Sequence, residues 1–310
     1  MSGGVRVALT GGSGFVGRAV CAELLTRGCD VVALSRTSGC APAGVDTVIG
    51  SLQDRSAVDA LVAGASVIIN AAGLVRTRDE MALNRVNVDG VLSLLDASAA
   101  ADRFVQVSTA GVHGRPGGSV SEDSRFAPRG PYEVSKAAAE TEIRRRRSDG
   151  VTFVRPTDIL GVGHPLDPLA RFIRAVERGR VWTWGGAWSN YVGVEAVAEA
   201  VAAVALDPAP PCALLVNAPE RVVALAELVA SLTGVPNRVH LLPSIVARPA
   251  RRLVALAGSD LAVLHRVGSA LDTTRFESSN EDWLASRGVV PGLEMTLRMM
   301  IADYRARGLL

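Results

Sequence analysis

Tyr132 and Lys136 are the residues of this chain whose types and spacing point most directly to chemistry. They stand four positions apart in the segment PYEVSK, so on a helix they share one face. An ammonium held beside a phenol lowers the phenol pKa from its usual value of about 10, which makes the tyrosine a usable proton donor or acceptor. The chain has 33 lysines and arginines, yet Lys136 is its only lysine. The sequence therefore predicts a proton-transfer pair here.

An arginine at position 136 would carry the same charge in a different shape. A guanidinium is a broad planar fork, whereas an ammonium is compact and has three donors that can also bond the ribose hydroxyls of a nucleotide. We interpret the retained lysine as a requirement of chemistry. A tyrosine and lysine pair on a solvated helix surface is the alternative.

A glycine-rich segment, TGGSGFVG at 10–17, follows a predicted strand and opens a predicted helix. Gly11, Gly14 and Gly17 stand where a tight turn, close approach to a pyrophosphate and helix-strand packing each require a missing side chain. This context predicts a dinucleotide-binding loop rather than a glycine turn without a ligand.

The end of the second predicted strand indicates which dinucleotide binds. Sites for NAD usually place Asp or Glu there to hold the ribose 2′-hydroxyl, but this chain has Ser35 followed by Arg36. A guanidinium at that point can bind a 2′-phosphate and stack on adenine. The sequence predicts NADP(H), with an ordinary surface arginine as the alternative.

Apolar strands and amphipathic helices alternate through the first half of the chain, from VRVALTG to RFVQVST. Short strands buried on both faces and separated by helices predict an α/β fold with a doubly wound parallel Rossmann sheet, whose ligands lie at the carboxyl ends of the strands. We predict a cofactor domain at 1–157 and 191–218. A smaller, mostly helical substrate-binding domain is predicted at 158–190 and 219–310.

Composition restricts the remaining possibilities. The net charge of +2, with acids and bases interspersed, argues against nucleic acid or an anionic membrane as a partner, and we interpret RRRR at 144–147 as a solvated helix face. The four cysteines lack metal-ligand or disulfide spacing, so we expect reduced, mostly buried thiols and no metal site. No leader or membrane span is evident, and we expect a cytoplasmic protein.

Taken together, the motifs resemble the extended short-chain dehydrogenase/reductase family. Besides the glycine loop and the Tyr-Lys pair, the segments NAAG, NVDG, VSTAGVHG, RPTDILGVG and YVGVEAVAEA fall in family order over nearly the whole chain. The resemblance implies that Thr109 orients the substrate oxygen, Tyr132 is the acid/base and Lys136 its activator. It also implies that Asn87 supports the sheet near the active site, and relatives are often homodimers.

The residues predicted to bind the cofactor follow from the glycine loop, the strand ends and this resemblance. They are Gly11, Ser13, Gly14, Phe15, Val16, Gly17, Ser35, Arg36, Ser51, Leu52, Ala71, Ala72, Gly73, Asn87, Tyr132, Lys136 and Pro156. Ser51 replaces an Asp of the family pattern, which weakens one adenine-side contact.

Departures from the family pattern narrow the predicted activity. Sugar dehydratases of the family place Asp-Glu directly after the catalytic hydroxyl, but this chain has Ala110 and Gly111, so the acid/base pair for eliminating water is missing. Epimerases resemble NAD enzymes that retain their cofactor, and the strand-end acid is missing here. An exchangeable NADPH predicts a ketoreductase. A non-catalytic NADP-binding regulator is the alternative from another class.

The substrate is predicted from two further departures. Asp158 and Ser189 stand where sugar-nucleotide enzymes of the family commonly have Asn and Arg, which disfavours a diphosphate. We expect a free polar metabolite, such as a sugar-like or aminoglycoside-type ketone from secondary metabolism. The candidate substrate contacts are Val75, His113, Asp158, Trp182, Trp184 and Trp188.

Two alternatives remain open at this point. The tryptophans can equally pack in a core instead of contacting the substrate. Separately, His164 is expected to be a loop residue. A nucleotide-sugar 4-ketoreductase or epimerase remains the alternative if Arg251, Arg252 or Arg275 binds the phosphates.

Overall fold

A parallel β-sheet forms the centre of the molecule in the computed structural model, which describes residues 4–165, 169–243 and 271–310. Within those residues the sheet has seven strands in the order β3-β2-β1-β4-β5-β7-β11. Their bounds are β1 Arg6–Thr10, β2 Asp30–Ser35, β3 Asp46–Ile49, β4 Val67–Asn70, β5 Arg103–Val107, β7 Val151–Pro156 and β11 Ala213–Val216. The order reverses between β1 and β4, which is the switch point where such sheets bind ligands.

Two layers of helices cover the sheet because its central strands bury both faces. One apolar cluster joins a face of the sheet to α1 (Phe15–Thr26) and α7 (Val194–Leu206). The other cluster joins the opposite face to α2 (Arg55–Val62), α4 (Gly90–Ala97) and α5 (Pro131–Arg146). The predicted doubly wound α/β fold is therefore confirmed.

Smaller sheets lie beyond the central one. Strand β10 (Trp188–Gly193) pairs with β8 (Asp158–Leu160) and β12 (Ala218–Arg221), β9 (Val181–Thr183) pairs with β13 (Val239–Leu241), and β6 (Gly118–Val120) pairs with β14 (Thr274–Phe276). A separate apolar cluster joins α6 (Ala170–Glu177), α8 (Val222–Thr233) and α10 (Glu294–Ala306). Helix α9 spans Glu281–Ser286.

The chain passes between the two groups of elements more than once. It leaves the central sheet after β7, returns with α7 and β11, and leaves again with β12. The division into a cofactor domain and a substrate-binding domain stays a prediction.

The cysteines are free thiols, with Cys21 and Cys29 buried, Cys40 partly exposed and Cys212 exposed. Burial raises the pKa of Cys21 to about 11. Within the described ranges no helix has the length and apolarity to cross a membrane, and no three His, Cys, Asp or Glu side chains there group as metal ligands do.

Candidate active site

The glycine loop turns sharply between β1 and α1. Gly11 has a φ of +77°, and a Cβ there would lie 2.6 Å from the Ala72 nitrogen. A Cβ on Gly17 would lie 2.0 Å from the Gly11 oxygen. Gly14 precedes the first helical residue, and its N–H donates to the Gly11 oxygen at 2.9 Å. Gly11 and Gly17 therefore have no room for a side chain. Because the loop carries no side chains at these positions, the N-terminus of α1 stays open to a phosphate.

Other predicted cofactor residues line the strand ends around this loop. Ser13 is exposed, while Phe15 and Val16 are partly buried at the start of α1. The ring of Phe15 meets His164 edge-on at 5.0 Å, which places the loop after β8 against the glycine loop. The His164 expectation is met, since it lies in that loop.

Ser35 ends β2, and Arg36 follows it. Ser35 is buried, and its hydroxyl donates to the Thr37 oxygen at 2.7 Å, so it is occupied by its own turn. Arg36 is exposed and forms no hydrogen bond or ion pair with any residue in the described ranges. Ser51 accepts from the Gln53 nitrogen, and Leu52 packs in the core beside Gly90.

Thr109 and Lys136 are brought to one strand end. Thr109 follows β5 and caps a short 3₁₀ helix (Ala110–His113), accepting from the Gly111 nitrogen at 3.1 Å. The Lys136 ammonium is buried and donates to the Val107 oxygen at 2.7 Å, two residues before Thr109. This bond holds the first turns of α5, which carry Tyr132, against the end of β5.

The predicted effect of Lys136 on the tyrosine pKa is wrong in this structure. Burial, with a smaller contribution from Glu133, raises the pKa of Tyr132 to about 12. Burial also lowers the pKa of Lys136 to about 8, although Glu140 opposes this. The reason is that the ammonium donates to the Val107 carbonyl and is itself desolvated. Burial therefore sets the direction of both pKa shifts.

Asn87 lies in a π-helical turn (Arg85–Asp89) between α3 (Glu80–Asn84) and α4. Its side chain donates to the Leu74 oxygen at 2.8 Å and to the Ser135 hydroxyl at 2.9 Å, and it accepts from the Leu74 nitrogen at 2.7 Å. Asn87 therefore ties the loop after β4 to α5, beside Lys136. The resemblance implied a supporting role for Asn87, and π-turns of this kind often mark functional sites.

A polar cluster that sequence reasoning only partly identified lies at the start of β8. Asp158 is largely exposed, and Arg115 contacts it at 3.3 Å while bonding Asp272 at 2.8 Å. Tyr191 pairs with Asp158 across β8 and β10. Burial, together with Asp158, raises the pKa of Tyr191 to about 12. Arg115 was missed because its partners lie 43 and 157 residues away in sequence.

His113 does not lie at the substrate site. It is 1% exposed, and its ring nitrogens meet the Arg155 guanidinium at 3.1 Å and the Arg125 oxygen at 3.4 Å. Arg155 is in turn paired with the fully buried Glu140 at 2.7 Å. The prediction of a substrate contact is therefore wrong, because this buried ionic cluster takes the imidazole as a partner.

The other predicted substrate residues are spread apart. Val75 is exposed in the loop after β4. Trp182 is exposed on β9 and stacks on His240, with ring centroids 4.5 Å apart. Trp184 packs over Gly186. Trp188 lies on β10, the strand next to Asp158, and its ring is contacted by two guanidinium groups.

The arginine run ending α5 forms local contacts. Arg144 pairs with Glu140 and lies 4.2 Å from the Phe153 ring centroid. The next two pair with Glu142 and Asp96, and Arg147 donates to backbone oxygens. Arg144, Arg145 and Arg146 are also exposed, as expected for the solvated helix face interpreted from the sequence, and cations at a helix C-terminus interact favourably with the helix dipole.

Comparison with known proteins assigns the family. The model of the NAD dependent epimerase/dehydratase family matches residues 7–212. The chain belongs to this family. The match includes the glycine loop, Thr109, Tyr132 and Lys136, and it confirms the resemblance to extended short-chain dehydrogenases/reductases.

Two curated proteins are similar to part of this chain. One is a 4-hydroxy-2-methyl-3-oxo-4-farnesyl-3,4-dihydroquinoline-1-oxide ketoreductase of Stigmatella aurantiaca, 34% identical over 59% of this chain and 58% of that protein. Another is the low-salt glycan biosynthesis protein Agl12 of Haloferax volcanii, 36% identical over 46% of this chain and 50% of that protein. The chain thus spans about half the length of the curated relatives it matches.

Solved structures of the family show the same fold. The UDP-glucose 4-epimerase of Thermotoga maritima, solved with UDP-glucose, has a TM-score of 0.73 and 18% identity, and the match covers 97% of this chain and 99% of that one.

Proposed function

We propose that this protein is an NADPH-dependent ketoreductase of a small polar metabolite. The observation that carries the proposal is the buried bond from Lys136 to the Val107 oxygen, which fixes the tyrosine turn of α5 beside the strand end that bears Thr109. This bond supports the proposal because it brings groups suited to carbonyl reduction to the end of a strand in the same sheet as the glycine loop.

The residues present fit a nicotinamide dinucleotide. A loop in which a Cβ on Gly11 or Gly17 would meet backbone leaves room for a pyrophosphate at the start of α1. When bound, the reduced nicotinamide supplies a hydride to the ketone carbon. Loop residues 11–17, Arg36 and Lys136 would hold the cofactor.

The chain supplies the proton and the orientation. Tyr132 donates its phenolic proton to the ketone oxygen as that oxygen gains charge, so the ketone becomes a secondary alcohol. Thr109 donates a hydrogen bond to the same oxygen. Lys136 stabilises the resulting phenolate with its ammonium. The high pKa of Tyr132 keeps the phenol protonated before reduction, as a proton donor requires.

The preference for NADPH is proposed from the end of β2. Ser35 is buried and bonded within its own turn, so no acid is present to hold a ribose 2′-hydroxyl. Arg36 projects from the same turn and is free to pair with a 2′-phosphate.

The polar substrate is proposed from the cluster beside β8. Among the described residues, Asp158 has one long contact, to Arg115, whose shorter bond is to Asp272. The Asp158 carboxylate therefore remains exposed to accept hydrogen bonds from an amine or hydroxyl. Ser189, at the position of the family arginine, is buried and donates to the Glu220 oxygen. Both features disfavour a diphosphate.

A nucleotide-sugar 4-ketoreductase or epimerase is the second candidate. Arg275 supports it, since its guanidinium lies 4.6 Å from the Trp188 ring centroid on the strand next to Asp158. Glu277 pairs with Arg275 at 2.6 Å and offsets its charge. Arg251 and Arg252 lie outside the described residues.

Consumption of NADPH with a panel of ketones tests the proposal. The panel contains aminosugar and cyclitol ketones, nucleoside diphosphate 4-ketosugars and long-chain alkyl ketones. We expect turnover with the first class, lost in Tyr132→Phe, and no inhibition by nucleoside diphosphates. Turnover confined to nucleotide sugars would favour the second candidate, and NADPH binding without turnover on any ketone would favour a regulator.

A further inference from the structure

A continuous chain of buried hydrogen bonds runs beneath the site from the glycine loop to Lys136. The Ala72 nitrogen donates to the Thr10 hydroxyl at 3.4 Å, and that hydroxyl bonds Oδ1 of Asn70. Nδ2 of Asn70 donates to Oε1 of Gln106 at 2.9 Å, and Nε2 of Gln106 donates to the Val107 oxygen at 2.8 Å. The Lys136 ammonium donates to that same oxygen at 2.7 Å.

The direction of this chain is fixed by chemistry. The Val107 carbonyl can only accept, so Gln106 must present its amide nitrogen and turn its oxygen toward Asn70. Asn70 must then donate with its own nitrogen, which leaves its oxygen for the Thr10 hydroxyl. Thr10, Asn70 and Gln106 are completely buried, so water cannot substitute for any of these partners.

The Val107 oxygen therefore receives two donors. The amide of Gln106 points the positive end of its dipole at the oxygen that also holds the ammonium. This arrangement fixes the carbonyl in place and opposes the positive charge on Lys136. A glutamine in the apolar strand RFVQV is otherwise costly to bury, which is consistent with a specific task.

We propose that Gln106 is a positioning residue that fixes the Val107 carbonyl and sets where Lys136 sits and how tightly it holds its proton. The chain through Thr10 and Asn70 holds the Gln106 amide in the required orientation. The inference builds on the role proposed for Lys136, but it is tested by a measurement that needs no turnover.

Other charged groups near Lys136 are already engaged. On α5 itself the charged group that acts on Lys136 is Glu140, which pairs with Arg155 of β7 and with Arg144. The 3₁₀ helix packed on α5 contributes His113, which bonds Arg155. The π-turn contributes the neutral Asn87, while its charged residues Arg85 and Asp89, and Glu80 of α3, are exposed. Thr10, Asn70 and Gln106 do not ionise, so changing them alters the environment of Lys136 without removing a charge.

The single lysine of the chain provides the experiment. Full-length protein labelled with ¹³Cε-lysine, carrying no lysine in any tag, gives one lysine side-chain signal, whose shift against pH reports the Lys136 pKa directly. Gln106→Met removes the opposing dipole at similar volume, and we expect the lysine pKa to rise by about half a unit to one unit.

Thr10→Val provides a second variant at the start of the chain of bonds. It removes the hydroxyl that anchors the far end of Asn70, so Asn70 and Gln106 are held less firmly, and we expect a smaller rise in the same direction. Thr152→Val is the matched control, because Thr152 is also buried in the central sheet but donates to the Pro211 oxygen, outside the chain of bonds to Lys136.

The lysine pKa values of the three variants decide the proposal. A rise in Gln106→Met and Thr10→Val with no change in Thr152→Val supports the proposal. An unchanged or lowered lysine pKa in the folded Gln106→Met variant overturns it, and Thr10→Val decides if Gln106→Met does not fold. Since the titration needs no substrate, absence of reductase activity would count against the proposed function and leave this result intact.

Discussion

Lys136 is 3% exposed and its ammonium lies 2.7 Å from the Val107 oxygen, so the space around it fits a slender chain with a compact head. A guanidinium there would have to place a planar group with five N–H donors in a buried position where, among the described residues, the ammonium donates to one carbonyl. The structure thus supplies a steric reason, besides the chemical one, for a lysine among so many arginines.

We expect Lys136→Arg to lose most of the activity even where it folds, and Tyr132→Phe to lower kcat by roughly 10²-fold or more, the range of a lost general acid. Steady-state kinetics with NADPH and calorimetric NADPH binding check both variants. Retention of most activity by Lys136→Arg would refute the explanation for the lysine.

Replacement of Arg36 tests the cofactor preference. We expect Arg36→Ala to weaken NADPH binding by about 1.5 to 3 kcal/mol, the value of a hydrogen bond to a charged group, and to leave NADH binding unchanged. Arg171→Ala is the matched control, because it removes one exposed charge from α6. Equal losses for both cofactors in Arg36→Ala would remove the basis for NADPH selection.

At the scale of elements, the turn from β1 to α1 depends on contacts between backbone atoms. Gly17 belongs to α1, yet the space for its Cβ is filled by the Gly11 carbonyl of the preceding turn. The first turn of the helix and the loop that would hold the pyrophosphate are therefore packed as one unit. A side chain at Gly17 must push them apart.

We expect Gly17→Ala to destabilise the fold by about 1 to 3 kcal/mol, as overpacking does, and to weaken NADPH binding at least tenfold. Gly185→Ala is the control, since a Cβ there meets nothing within 4 Å, and we expect it to change stability by less than about 0.5 kcal/mol. Chemical denaturation and NADPH titration provide the readouts. Wild-type cofactor affinity in Gly17→Ala would show that the loop does not hold the cofactor.

At the scale of the whole molecule, Glu122 joins distant parts of the chain. Its carboxylate accepts from the Leu215 nitrogen at the sheet edge and from Ser278, Ser279 and Asn280. Burial raises the pKa of this carboxyl, but those hydrogen bonds outweigh burial and leave it below the ordinary value of 4.5. A depressed pKa means that the ionised form stabilises the folded state.

The stability contributed by Glu122 is present above its unfolded pKa, near 4.5, and is lost as pH falls through the lower folded pKa. We expect Glu122→Gln to cost about 1 to 3 kcal/mol at neutral pH, because N–H and O–H donors lose acceptors. The deficit should shrink below pH 4.5, as measured by denaturation at several pH values. Glu281→Gln, which changes an exposed carboxylate at the start of α9, serves as the control. An equal loss of stability in Glu281→Gln, or a loss in Glu122→Gln that does not depend on pH, would contradict the assignment.

The sequence by itself determined the features encoded by neighbouring residues. The alternation of strands and helices, the glycine turn at 10–17, the helix over 194–206 and the shared face of Tyr132 and Lys136 each depend on a short stretch with its own periodicity or conformational demand. The position of Ser35 and Arg36 at the end of β2 could be predicted in the same way, because the end of a strand is recognised from the few residues around it.

Only the tertiary structure decided the features made by residues far apart in the chain. His113 is buried and bonds Arg155, and Arg115 pairs with Asp158 and Asp272. No local pattern in the sequence encodes these contacts. The sequence placed an ammonium near the phenol, but the direction of the Tyr132 pKa depended on how much water the fold removes from both groups. Burial is a property of the packed molecule, and so is the set of bonds that joins Gln106 to Lys136.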